Sequence, residues 1–162
     1  MRACLILAAA TLLSSCTKAA PPPTVAETEI ARVLDDWHDA AAHADEERYF
    51  RHFARAAVFL GTDATERWDV DAFRKYAHPY FQKGKAWSFK STRRGTTIAP
   101  GSSIAWFDED LATEKLGPCR GSGVVVRDPT DGVWRIAQYN LTVTIPNERF
   151  AEVRKVLESP AP

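Results

Sequence analysis

Three carboxylates stand where acid–base chemistry could be done: Asp63, Glu66 and Asp108. Asp63 and Glu66 lie in Gly61-Thr62-Asp63-Ala64-Thr65-Glu66-Arg67-Trp68, a polar and aromatic turn directly after the apolar run Ala56-Ala57-Val58-Phe59-Leu60. Loops at strand ends commonly carry sites. Asp108 opens the acidic run Asp108-Glu109-Asp110. A carboxylate walled by apolar groups is raised in pKa and can take a proton from a carbon next to a carbonyl. Arg120 or Asn140 would then steady the enolate. Each residue also has a plainer reading. Asp63 suits an Asx turn and Glu66 can pair with Arg67. A carboxylate beside Arg120 can be a structural ion pair.

Binding without chemistry draws on another set. Trp68, Trp87, Trp106 and Trp134 can wall a pocket for a small, partly apolar ligand, with Arg120, Gln138 and Asn140 as polar anchors. The plain alternative is that each Trp fills the core. His38 and His43 fall near the polar stripe of a helix and are expected in solvent. Cys119, beside Arg120, reads as a small half-buried residue at a strand start. No Cys/His spacing fits a zinc site, and no Gly-rich phosphate loop or G-x-S-x-G elbow occurs, so neither metal nor cofactor is expected. The formal net charge of +0 gives no general case for nucleic acid.

These residues need elements to hold them. The longest is Gly132 to Pro146, rich in Thr, Val, Ile, Trp and Tyr, and unbroken after the turn at Asp128-Pro129-Thr130-Asp131-Gly132. Simple alternation puts Trp134, Ile136, Gln138, Asn140 and Thr142 on one face, the expected cavity wall. Ahead of it, Ile30, Val33, Leu34, Trp37 and Ala41 repeat at helical spacing, with Thr24 and Glu27 at capping-box separation. Asp45 can cap a short second helix bearing Tyr49, Phe50 and Phe53. Asp69 begins a third, whose stripe is Phe73, Tyr76, Ala77, Tyr80 and Phe81; Pro79 predicts a kink or an early end. Strands are expected over residues 86–98, 103–108 and 120–128. Asp108 shares a strand face with Trp106, and Glu109 shares the other with Phe107; alternation alone does not say which is inside. A short terminal helix spans residues 149–158. Helices first and a long curled antiparallel sheet after make an α+β roll.

The N-terminus reads as an address. Arg2, then the apolar run Ala3 to Leu13, is a signal peptide in outline, too short to span a bilayer. Leu13-Ser14-Ser15-Cys16 resembles the bacterial lipobox, in which the Cys is lipidated and becomes the new N-terminus. Residues 1–15 are then the leader, 16–24 a lipidated Cys with a Pro-rich tether, 25–150 the domain, and 151–162 a helix end and tail. The protein is expected in the bacterial cell envelope, anchored through lipid on Cys16, and Thr17 favours the outer membrane facing the periplasm.

Val58-Phe59-Leu60-Gly61-Thr62-Asp63 with Glu66 and Trp68, Ala105-Trp106-Phe107-Asp108-Glu109, Arg120-Gly121-Ser122-Gly123 and Trp134 to Leu141 together resemble the SnoaL-like branch of the nuclear transport factor 2-like superfamily. The resemblance covers roughly residues 30–148. It implies a cone with a pocket at its open end, and dimerisation through the outer sheet face. Relatives include isomerases, cyclases, dehydratases and proteins that only bind, so function does not follow from the fold. Many relatives carry His where Asn140 stands, and Asn cannot act as a general base. Ligand binding is therefore the leading expectation. An isomerase, cyclase or dehydratase using a pocket carboxylate comes second, and a dimeric scaffold third.

Overall fold

A computed structural model describes residues 24–84, 86–101 and 103–159. The leader and Cys16 lie outside the described residues. Helix α1 (Val25–Ala42) starts at a reciprocal capping box: Thr24 accepts from the Glu27 N–H while the Glu27 carboxylate accepts from the Thr24 N–H. Asp45 caps α2 (Glu46–Phe50) by accepting from the Arg48 N–H. Asp36 of α1 accepts hydrogen bonds from Arg48, Arg51 and His52, and so ties α1 to the chain that follows it. The bond from Arg48, ahead of that from His52, holds the Asp36 carboxyl down at about 2.

Strand β1 (Phe53–Leu60) turns through Gly61 to Glu66 into the short β2 (Arg67–Asp69). Asp69 then caps α3 (Val70–Gln82), which continues through Pro79 rather than ending there. Residues 86–89 have no regular structure, so the strand expected from Ala86 begins only at β3 (Lys90–Ile98). β4 (Ile104–Ala112), β5 (Cys119–Arg127) and β6 (Trp134–Val143) follow as an antiparallel meander.

The six strands form one sheet in the order β2-β1-β6-β5-β4-β3. It is mixed rather than wholly antiparallel, because β1 docks parallel on the free edge of β6. The intervening chain is long enough to allow the parallel crossover. The sheet curls around α1 and α3, and Leu34, Trp37, Phe73, Phe107, Ile136 and Tyr139 meet in the space between.

β6 departs from simple alternation. Val124 pairs with Gln138, but Val125 pairs with Ile136, so Ala137 is an extra residue. Trp134 and Ile136 point inward before the bulge, and Tyr139 does so after it, while Gln138 is exposed. The second half of β6 is thus turned over relative to the sequence expectation.

The last elements among the described residues are a 3-10 turn (Asn147–Arg149) and α4 (Phe150–Glu158), which buries no residue. Among the described residues, no helix is long and apolar enough to cross a membrane.

Candidate functional site

The pairing register fixes which side chains face the cone. Across the sheet, Arg94, Glu109, Gly121 and Leu141 form one inward row; Thr96, Phe107, Gly123, Tyr139 and Phe59 form the next. The intervening rows face outward, with Asp108 opposite Ser122 and Asn140, and Trp106 opposite Val124 and Gln138.

At the middle of the inward face stands Glu109, 0% exposed. Its Oε1 meets the Nε2 of His38 on α1 at 2.7 Å and accepts from the Tyr139 hydroxyl at 3.1 Å. Its Oε2 accepts from Arg94 Nε at 2.9 Å and Nη2 at 2.8 Å. Arg94 also donates to the Ala31 carbonyl and to Asp35, both on α1. Burial alone would raise the Glu109 carboxyl, but the His38 hydrogen bond and the Arg94 charge outweigh it and hold the group at about 2. Burial and the Glu109 charge push the Tyr139 phenol well above its ordinary value, so it stays a donor. The cluster is a fully partnered ionic clamp between α1 and the sheet. A carboxylate this acidic is a weak base.

Gly121 explains the reach of Tyr139. A Cβ there would run into the Tyr139 hydroxyl and sit 3.0 Å from Glu109 Oε1. At Gly123 a Cβ would strike the Gln138 carbonyl. The Gly121-Ser122-Gly123 run therefore leaves the inner face of β5 bare so that neighbours can cross it.

Beside the clamp, towards the β1–β2 turn, an open cleft of about 250 Å³ is lined mainly by aromatic rings. Phe59, Phe73, Trp68 and Tyr76 stack in series. Phe59 lies 4.0 Å from Phe73 at 17°, Phe73 lies 5.5 Å from Trp68 at 11°, and Trp68 lies 4.6 Å from Tyr76 at 25°. Trp87 and Phe89, from the irregular segment before β3, form another wall. Ala86, Leu116 and Leu141 complete the apolar lining. Glu66 and Lys115 bring charge to it. Tyr76 is pushed up to about 12 by its neighbour Tyr80 and by burial, so it remains a neutral phenol.

Of the residues singled out from sequence, Glu66, Trp68 and Trp87 line this cleft. Asp63 lies in the exposed turn, where it accepts from the Thr65 N–H and hydroxyl. Those bonds lower its carboxyl, against the raised value a pocket base needs. Asp108 and Arg120 are on the outer face, Asp108 bound to Arg93 and Arg120 near Asp110. Trp106 is outward too, and 50% exposed. Gln138 and Asn140 face outward because of the Ala137 bulge; Asn140 donates to Thr142. Trp134 is buried in the core and donates to Glu29. Cys119 is free and buried, and burial raises its thiol, which disfavours the thiolate. Among the described residues, no group of three or more His, Cys, Asp or Glu converges as a metal site.

His38 and Glu109 were hidden from sequence reasoning in different ways. His38 is expected in solvent but is buried, because it lies one turn beyond Leu34 and inherits the same inner stripe. Glu109 is the polar member of an otherwise apolar stripe, Ala105, Phe107 and Leu111. Continuing that alternation to Leu111 identifies the inner face.

A sheet curled around helices, with an open pocket beside a buried polar cluster, defines a cone-fold pocket protein. The SnoaL-like domain model matches residues 30–146, and the chain belongs to that family. Solved structures agree on the fold. An NTF2-like protein of unknown function from Pseudomonas putida KT2440 is similar at TM-score 0.62 and 14% identity, covering 78% of this chain and 92% of that one. A scytalone dehydratase candidate from Novosphingobium aromaticivorans gives 0.62 and 14%, covering 75% and 85%. A ketosteroid isomerase candidate from Parabacteroides distasonis gives 0.58 and 18%, covering 76% and 90%. No curated protein matches the chain.

Proposed function

We propose that this SnoaL-like domain binds a small, flat, mainly apolar molecule in the aromatic cleft. The observation that carries the reading is the parallel stack Phe59, Phe73, Trp68 and Tyr76 along one wall of an open cleft. Flat rings stacked in series offer extended apolar area to a planar guest at little conformational cost. The exposure of Tyr76 and Tyr80, at 43% and 41%, leaves area for a ligand to cover.

Binding is favoured over proton-transfer catalysis by the state of two carboxylates near the cleft. Glu109 is held acidic by its partners, and Asp63 is lowered by Thr65. Glu66 is the cleft's own carboxylate, and its Oε2 accepts from the Asp63 N–H at 3.2 Å.

The domain works at the cell envelope, tethered by lipid on Cys16. The motif Leu13-Ser14-Ser15-Cys16 and the Pro-rich stretch before α1 support this part of the reading. Lipid labelling of the full chain, abolished by Cys16→Ser, is the expected result; labelling that survives the change refutes the anchor. For the cleft, native mass spectrometry of protein purified without detergent exchange should show a bound small molecule that is lost in Trp68→Ala. Retention of the same molecule by Trp68→Ala would put the ligand elsewhere.

A further inference from the structure

The cleft has two kinds of wall. Phe59, Phe73, Trp68 and Tyr76 stack nearly parallel, but the rings beyond them tilt. Tyr76 and Tyr80 are 5.6 Å apart at 43°, and Tyr80 and Trp87 are 6.4 Å apart at 60°. Tyr80 is tilted to both of its neighbours, while Trp87 lies nearly parallel to Phe73 at 6.0 Å and 21°, so Tyr76, Tyr80 and Trp87 make a cornered aromatic box at the end of the stack. Ring faces carry the negative part of the aromatic quadrupole, so a box of rings has a negative interior.

A fixed carboxylate belongs to the same cleft. Glu66 is half-buried, and its Oε2 accepts from the Asp63 N–H at 3.2 Å. Gly61 is required for this placement, because a Cβ there would collide with the Glu66 carboxylate and lie 2.9 Å from its Cβ. The charge of Glu66 already reaches the box, since it helps to raise the Tyr76 phenol. The Lys83 ammonium lies 5.9 Å from the centre of the Tyr80 ring but does not line the cleft. Lys115 does line the cleft, but it is an exposed side chain in the β4–β5 loop, where solvent screens it. Glu66 is the half-buried member of the two charges and is held in place by its hydrogen bond.

We infer that the ligand of this cleft carries a positively charged nitrogen, of the quaternary or alkylated ammonium type. The cation sits in the Tyr76, Tyr80 and Trp87 box beside Glu66, and the flat apolar part lies along Trp68. This rests on the cleft-binding reading and adds the ligand's charge to it. A soft, weakly hydrated ammonium suits such a site better than a compact one, because it loses less hydration on entering.

The test compares phenyltrimethylammonium with its neutral isostere tert-butylbenzene, read by quenching of tryptophan fluorescence in the chain from residue 24 onward and in the full chain. The cation should bind about ten-fold more tightly than the isostere. Glu66→Gln should remove most of that difference and leave tert-butylbenzene unchanged. Tyr80→Leu, a substitution at a 41% exposed side chain, should act in the same direction. Equal or tighter binding of the isostere overturns the ammonium inference while the cleft reading stands. Binding of neither compound overturns both.

Discussion

The Tyr139 hydroxyl donates to Glu109 at 3.1 Å by crossing the space that Gly121 leaves empty. The relationship joins three strands, β4, β5 and β6, at the centre of the inner face. It makes Gly121→Ala a sharp test of the core. The added methyl meets the Tyr139 hydroxyl and Glu109 Oε1, and such overpacking costs about 1–3 kcal/mol. Tyr139→Phe alone should cost about 1–3 kcal/mol by removing a hydrogen bond to a charged group. In urea unfolding the double variant should be less destabilised than the sum of the two, since the hydroxyl that Ala would strike is gone. Strict additivity would mean that the two residues do not share this contact.

Acid should loosen the fold through the same cluster. The Glu109 carboxyl lies at about 2 in the folded chain against an ordinary 4.5, so the folded state prefers the charged form. The stability this contributes is fully present above about 4.5 and drains away as pH falls towards 2. Asp36, held at about 2 chiefly by Arg48, acts in the same direction over the window below its ordinary 3.8. Urea midpoints measured from pH 6 down to pH 2.5 should fall steeply for the unaltered chain. Glu109→Gln should lower the midpoint at pH 6, by an amount equivalent to about 3–5 kcal/mol, and should flatten the acid limb. An acid limb of unchanged slope in Glu109→Gln would show that Glu109 carries no such linkage.

The outer sheet face yields a third prediction. Trp106 is 50% exposed among Val124 and Gln138 of the adjacent strands, and dimerisation through this face is the expectation for it. Sedimentation velocity should find a dimer that Trp106→Glu converts to a monomer, with the urea midpoint of the isolated fold little changed. A monomer in the unaltered chain at tens of micromolar contradicts the prediction.

Much of the architecture was legible because local chemistry and global fold agree here. Thr24 with Glu27, Asp45 and Asp69 all cap the helices that their sequence context assigns to them. Phe73, Ala77 and Phe81 of the α3 stripe are buried where their spacing puts them, while Tyr76 and Tyr80 stay exposed at the cleft. The cavity wall was less legible. Period-2 alternation assigns Gln138 and Asn140 to the inside, but the one-residue bulge at Ala137 reverses every side chain after it. A bulge is set by pairing across the sheet and leaves little trace in a single strand. It also turns Tyr139 inward, and so creates the partner for Glu109. Asp108 and Glu109 could be separated only once Leu111 is seen to continue the buried stripe. Trp68 and Glu66 were legible together, because the tight turn that begins at Gly61 brings both back to the strand end.

Titration with N-phenyl-1-naphthylamine, a flat and neutral apolar fluorophore, tests the central claim most directly. Its emission should rise on binding to the unaltered chain. Trp68→Ala and Tyr76→Ala should each weaken it about ten-fold, in line with the loss of one well-packed aromatic contact, with unchanged far-ultraviolet circular dichroism. Trp106→Ala, on the outer face, should leave the affinity unchanged. Equal affinity in the unaltered chain and both cleft variants, or loss only in Trp106→Ala, would contradict the assignment of the aromatic cleft as the binding site.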